Sequence, residues 1–147
     1  MAYLYPVLLT VHIFCAIMFV GTVFFEVLIM GGARKYTSAR LMDAIESALS
    51  ARIVKIVPIA VVLLYLAGLG MVGLRFHTLL AQPFASAFAC MLWLKILLAV
   101  SVFAHFLIAL IKRRRGTLSG HFSKWLHWSV FAHVVLIVLI AKWMFYI

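Results

Sequence analysis

Residues 88–112, FACMLWLKILLAVSVFAHFLIALIK, decide the fold class. A helix of about 25 residues at 1.5 Å per residue is longer than a hydrocarbon core of roughly 30 Å. The run stops at the basic cluster Lys112, Arg113, Arg114 and Arg115. Three more stretches share this character, so the expected spans are 4–30, 53–75, 88–112 and 123–146. Hydrophobic residues make up 68% of the 147-residue chain and charged residues only 11%, which excludes an ordinary soluble core. The expectation is an all-α, integral membrane four-helix bundle forming a single domain over 1–147.

Charge sets the expected topology. Lys and Arg outnumber Asp and Glu by 13 to 3, giving a net charge of +10. In a soluble chain that balance would suggest nucleic acid, but no polar domain is available to present it, so no nucleic-acid partner is expected. Arg34, Lys35, Arg40, Arg52 and Lys55 fall around the first connection. Lys112, Arg113, Arg114, Arg115 and Lys124 fall around the third, whereas the opposite side carries Arg75 and Lys142. The positive-inside rule puts both basic connections in the cytoplasm and both termini outside, in a bacterial-type inner membrane. Anionic cytoplasmic lipid would attract the same clusters. Span one is expected to stay attached, because it lacks a basic start and a small-residue cleavage site.

Tyr3 and Tyr5, with Trp143, Phe145 and Tyr146, mark the expected outer aromatic belt, and Trp125 and Trp128 the inner one. Between spans one and two, residues 37–51 (TSARLMDAIESALSA) place Leu41, Met42, Ile45 and Leu49 on one stripe after Ser38. That pattern predicts a short amphipathic cytoplasmic helix capped by Ser38. Pro58 predicts a kink in span two. Gly68, Gly70 and Gly73 predict either close helix packing or clearance for a flat cofactor. Residues 76–87 predict an outer loop broken at Pro83.

Ionisable and soft side chains inside the spans are the candidate functional residues. Counting rise from the cytoplasmic ends puts His12, Cys15, Met71 and Lys95 in an outer layer, with Cys90 and Met91 above them. An inner layer holds Glu26, His105, His127 and His133. Cys15 lies one turn below His12 on the same face. His127 and His133 are six residues apart and do not share a face. Two packed free thiols are expected for Cys15 and Cys90 rather than a disulfide.

Imidazoles at two depths among apolar helices fit haem b, whose iron takes one or two axial histidines. His12 would hold an outer haem, with Met71 or His77 as second ligand, and Lys95 would meet a propionate or a substrate carboxylate. His105 with His127 or His133 would hold a second haem. Copper is the competing chemistry, through Cys15, Met71 and Cys90 beside His12, Met18 and Met91. The plainer alternatives stand beside these: methionines fill gaps in cores, His77 and His121 are interfacial, and Glu26 pairs with Lys55 or Arg52. A structural or assembly subunit is a third function class.

The opening MAYLYPVLLTVHIFCAIMFVGTVFFEVLI carries His12 followed by Phe19, Gly21 and Phe25. Span three, MLWLKILLAVSVFAHFLIALIKRRR, carries Trp93, Lys95 and His105. These segments resemble the copper-resistance protein D (CopD) superfamily and its HemJ-like protoporphyrinogen oxidases. The resemblance implies a four-span fold, a b-type haem with His12 as ligand, and an important Lys95. For function it implies a membrane oxidoreductase or electron carrier, with copper transport of the CopD type and HemJ-like protoporphyrinogen oxidation as alternatives. A quinone or another redox partner and a homodimer complete the expected partners, alongside the lipid bilayer.

Overall fold

The computed structural model describes residues 3–147. Every regular element among them is helical. Four main helices are α1 (Leu4–Phe24), α2 (Ala39–Met71), α3 (Ala87–Arg114) and α4 (Gly120–Trp143). With their short extensions they form four helices long and apolar enough to cross a membrane: Leu4–Ala33, Ala39–Leu80, Ala87–Arg114 and Gly120–Trp143. In their most apolar 18-residue windows only 22%, 17%, 6% and 11% of residues are buried inside the protein. Phe14, Ile17, Leu69 and Leu97 stand among the exposed side chains. An apolar surface this continuous belongs against lipid rather than water.

The chain divides into two compact halves, one ending at His77 and the other running Thr78–Ile147. In the first half α1 and α2 pack antiparallel. His12 meets Leu64 and Gly68, Leu8 meets Gly70, and Tyr5 meets Phe76, so the partner number rises as the α1 number falls. Cys15, Phe19 and Val23 recur every four residues on the buried face of α1. Ala60, Val61 and Ala67 are buried on α2.

The expected amphipathic helix at 37–51 is not a separate element. Its residues form the first turns of α2, which runs on without a break into span two. The reason is local: ALSARIV, residues 48–54, holds neither Gly nor Pro, so nothing stops the helix. Met42 is buried while Leu41 and Ile45 are exposed. Ser38 does occupy the N-cap position, but its side chain accepts no capping bond. Arg34 donates to Glu46 across 2.7 Å, an exposed link between the connection and the start of α2. The helix also continues through Pro58. A proline's lost N–H is tolerated within a membrane helix when neighbouring groups satisfy the freed carbonyl.

Two wide turns of π-helix interrupt the first half, at Phe25–Met30 and Val72–Phe76. The second leads into His77–Leu80, so span two reaches further than expected and the outer loop shrinks to residues 81–86.

In the second half α3 and α4 form a helical hairpin. Gly116, at φ 67°, takes the left-handed conformation that ends α3. Thr117 N–H returns to Lys112 O at 2.9 Å and Gly116 N–H to Arg113 O at 3.1 Å, the paired bonds of a Schellman ending. Lys112, Arg113 and Arg114 fill the last turn, where cations suit the helix dipole. Ser119 then caps α4, its Oγ accepting from Phe122 N–H at 3.3 Å. At the other end Phe88 meets Phe145, with ring centroids 5.6 Å apart.

Candidate functional site

His12 sits half-buried on α1, and its position follows from a glycine on α2. A Cβ on Gly68 would stand 3.2 Å from His12 Cε1 and 3.3 Å from Nδ1, tighter than ordinary contact. Without that carbon the imidazole lies flat enough on α2 to reach its backbone. His12 Nδ1 lies 2.9 Å from Leu64 O. A carbonyl only accepts, so Nδ1 carries the hydrogen and Nε2 bears the ring's lone pair. Histidines that bind metals are commonly held this way, by a carbonyl on the far nitrogen. His12 therefore has a ring anchored at one nitrogen, as metal-binding histidines do, through Leu64 O.

The neighbouring glycines behave differently. A Cβ on Gly70 would meet Leu8 Cδ1 at 2.9 Å, and one on Gly73 would meet nothing within 4 Å. Gly68 and Gly70 thus serve close helix packing, and at Gly68 the packed object is the imidazole. This register also corrects the layer expected for Met71. Gly70 faces Leu8, so Met71 lies about a turn beyond His12 towards the Leu4 end of α1 rather than level with it. The count went astray because it began at residue 53, whereas α2 begins at Ala39.

In the second half His105 and His133 come together, with ring centroids 5.4 Å apart and planes at 51°. Each helix contributes a serine four residues before its histidine. His105 Nδ1–H donates to Ser101 O at 2.7 Å and His133 Nδ1–H to Ser129 O at 2.8 Å. Across the hairpin, Ser129 Oγ lies 3.0 Å from His105 Nε2 and Ser101 Oγ 3.0 Å from His133 Nε2. All four ring nitrogens are engaged. Trp125 stacks on His105, with ring centroids 5.8 Å apart.

A haem between these two imidazoles would need both Nε2 atoms aimed at one iron. Here each Nε2 instead lies 3.0 Å from the serine hydroxyl of the opposite helix, so neither is turned to a shared iron in this arrangement. His127, the other inner-layer candidate, bonds within its own helix, with Nδ1 2.7 Å from Ser123 O. The Ser-x-x-x-His spacing at 101/105, 123/127 and 129/133 stands in the sequence, and it was the available signal for this network.

Lys95 is half-buried within α3 and has no hydrogen bond or ion pair among the described residues. Glu26 lies in the first π-helical segment, also half-buried. Cys15 is buried as expected of a packed thiol, but Cys90 is exposed, and its S–H donates to Pro83 O at 3.2 Å. Cys90 opens out because it stands in the first turn of α3, beside the connecting loop. Both thiols are free. Among the described residues no three His, Cys, Asp or Glu side chains gather as a metal site.

Replacing both Ser101 and Ser129 by Ala removes the two bonds that cross the hairpin. Interhelical bonds in membranes average about 0.6 kcal/mol each and reach about 1.7. The double variant is expected to lose about 1–3 kcal/mol of stability, measured by unfolding in mixed micelles.

Comparison with known protein families, with curated proteins and with solved structures finds no match to this chain.

Proposed function

We propose that this chain binds haem b in a bacterial-type inner membrane and works there as an electron carrier or as an oxidoreductase on a membrane-accessible substrate. The observation that carries this reading is the His12 ring, seated on Gly68 with its Nδ1–H committed to Leu64 O. That arrangement fixes the orientation of the imidazole within an apolar helix pair. Haem, when bound, supplies a one-electron iron couple. The CopD-like and HemJ-like resemblance points to the same residue and adds Lys95. An ammonium half-buried in a span without a carboxylate partner suits a propionate or another acidic ligand group. A quinone is the lipid-soluble class of redox partner suited to such a protein, and a homodimer is its proposed assembly.

Protein purified from haem-replete cells should show a Soret band that shifts on reduction, and pyridine haemochrome assay should count one haem per chain. Colourless protein would overturn the reading. Colourless protein carrying copper would move it to the metal chemistry of the CopD type, around Cys15.

The proposed orientation puts the Gly116 turn and its basic cluster in the cytoplasm, with both termini outside. In a chain carrying Cys90→Ser, a Tyr3→Cys thiol is expected to react with an impermeant maleimide on intact cells. A Thr117→Cys thiol should react only after permeabilisation. The reverse pattern would invert the topology.

A further inference from the structure

Two stretches of the chain gather positive charge, and the structure makes them unequal. The five cations from Arg34 to Lys55 share their stretch with Asp43 and Glu46, and Arg34 already pairs with Glu46. The five cations Lys112, Arg113, Arg114, Arg115 and Lys124 have no such company, since residues 78–147 contain neither Asp nor Glu. Lys112 Nζ lies over the Phe122 ring, 4.5 Å from its centroid, which ties the last turn of α3 to the first turn of α4. Arg113 is also engaged within the protein. Arg114, Arg115 and Lys124 are exposed, and their side chains have no hydrogen bond, ion pair or ring contact among the described residues. The Schellman ending at Gly116 holds the two arginines on a defined turn rather than a loose loop. Trp125 and Trp128 follow on α4, 55% and 58% exposed. Lys124 and Trp128, four residues apart, share a face of that helix. Trp93 gives its indole N–H to Leu80 O at 3.3 Å, but among the described residues neither Trp125 nor Trp128 has a hydrogen-bond partner for its own. Exposed cations at a turn, then indole donors about one and two turns into the span, match the order in which a phospholipid presents its phosphate and its ester carbonyls.

We infer that the Gly116 turn and the start of α4 form a seat for one anionic phospholipid, its phosphodiester against Arg114, Arg115 and Lys124 and its ester carbonyls against the indole N–H groups of Trp125 and Trp128. A diffuse positive surface would draw anionic lipid to both basic stretches alike. A seat differs from it in having a defined turn, cations left over after internal pairing, and donors at two depths. A phosphatidylglycerol headgroup carries one negative charge, and no carboxylate of this half competes for the cations that meet it. A zwitterionic headgroup brings its own ammonium, which the same cations repel. Each cation near a membrane surface strengthens the hold on anionic lipid about fivefold, so Arg114, Arg115 and Lys124 together contribute roughly a hundredfold at low salt. Both leaflets present headgroups, so the seat depends on neither the orientation of the chain nor the haem reading.

The test uses the full chain in neutral micelles at low salt, titrated with short-chain phosphatidylglycerol, with native mass spectrometry counting the lipid retained. Phosphatidylcholine of the same chain length and inorganic phosphate are the comparison probes. The expected result is one phosphatidylglycerol per chain, weaker retention of phosphatidylcholine, and no displacement by inorganic phosphate, which has no ester carbonyls for the indoles. Arg114→Gln, Arg115→Gln and Lys124→Gln together should weaken retention roughly a hundredfold. Lys35→Gln, Arg40→Gln and Arg52→Gln together remove as many charges from the other stretch and should leave retention unchanged. Should the first triple variant fail to fold, Trp125→Phe with Trp128→Phe tests the seat with every charge in place, and retention should again fall. Equal losses in the two triple variants would overturn the inference, because the lipid would then answer only to a diffuse field. So would equal retention of phosphatidylcholine, unchanged retention in the tryptophan variant, or release of the lipid by inorganic phosphate, which would make this a site for the free anion.

Discussion

His12→Gln is expected to strip haem from the purified protein, with the Soret band lost and haemochrome falling from one per chain to background. The imidazole is anchored on the α1–α2 pair through Nδ1, 2.9 Å from Leu64 O. Glutamine is of similar reach, yet its amide is a poor ligand for haem iron. The helices should survive, because the seam between α1 and α2 rests on Cys15, Phe19, Val23, Ala60, Val61 and Ala67. Far-ultraviolet circular dichroism therefore stays at the wild-type value while the visible spectrum disappears. Undiminished haem in this variant would remove His12 as ligand.

Gly68→Val is expected to reproduce much of that loss with His12 still present. The first added carbon already sits 3.2 Å from Cε1, and the stiff branched methyl groups cannot turn away from the ring. The imidazole is pushed off α2 and its bond to Leu64 O breaks. Losing such a supporting bond lowers metal affinity by roughly ten- to a hundredfold. Haem titration of the apo-protein measures the effect. Gly70→Ala is the control: its contact is Leu8 Cδ1, the far end of a flexible side chain, so binding should hold. Equal losses in both variants would show a packing defect in α2 rather than a displaced ligand.

The four spans were legible because an apolar run of this length has few other uses in a protein. Their ends were less so. The stripe Leu41, Met42, Ile45 and Leu49 has helical spacing whether the helix ends at residue 51 or continues, and only the lack of a breaker decides. His12 stood out as a polar residue in an apolar run. Its partner Gly68 did not, since pairing them needs the antiparallel register, which periodicity within one helix does not contain. The same missing register put Met71 level with His12. On the second hairpin the choice between His127 and His133 beside His105 was open from spacing. The serines at 101 and 129 supply the hydroxyls that meet the opposite ring's Nε2, and their spacing from His105 and His133 was available from residue numbers alone.

The widened turns at Phe25–Met30 and Val72–Phe76 lie at opposite ends of the α1–α2 pair, the second beside Tyr5. A π turn carries one residue beyond what the surrounding α geometry requires. Each is thus a slack point in the chain. Deleting a single amino acid there tightens the loop of backbone to the ordinary pitch and leaves everything downstream facing as before. The same deletion between His12 and Phe19 would swing the remainder of α1 by about 100°. A one-residue deletion series should accordingly find two tolerant windows bracketing an intolerant middle, which makes length itself a probe of where this membrane hairpin is keyed.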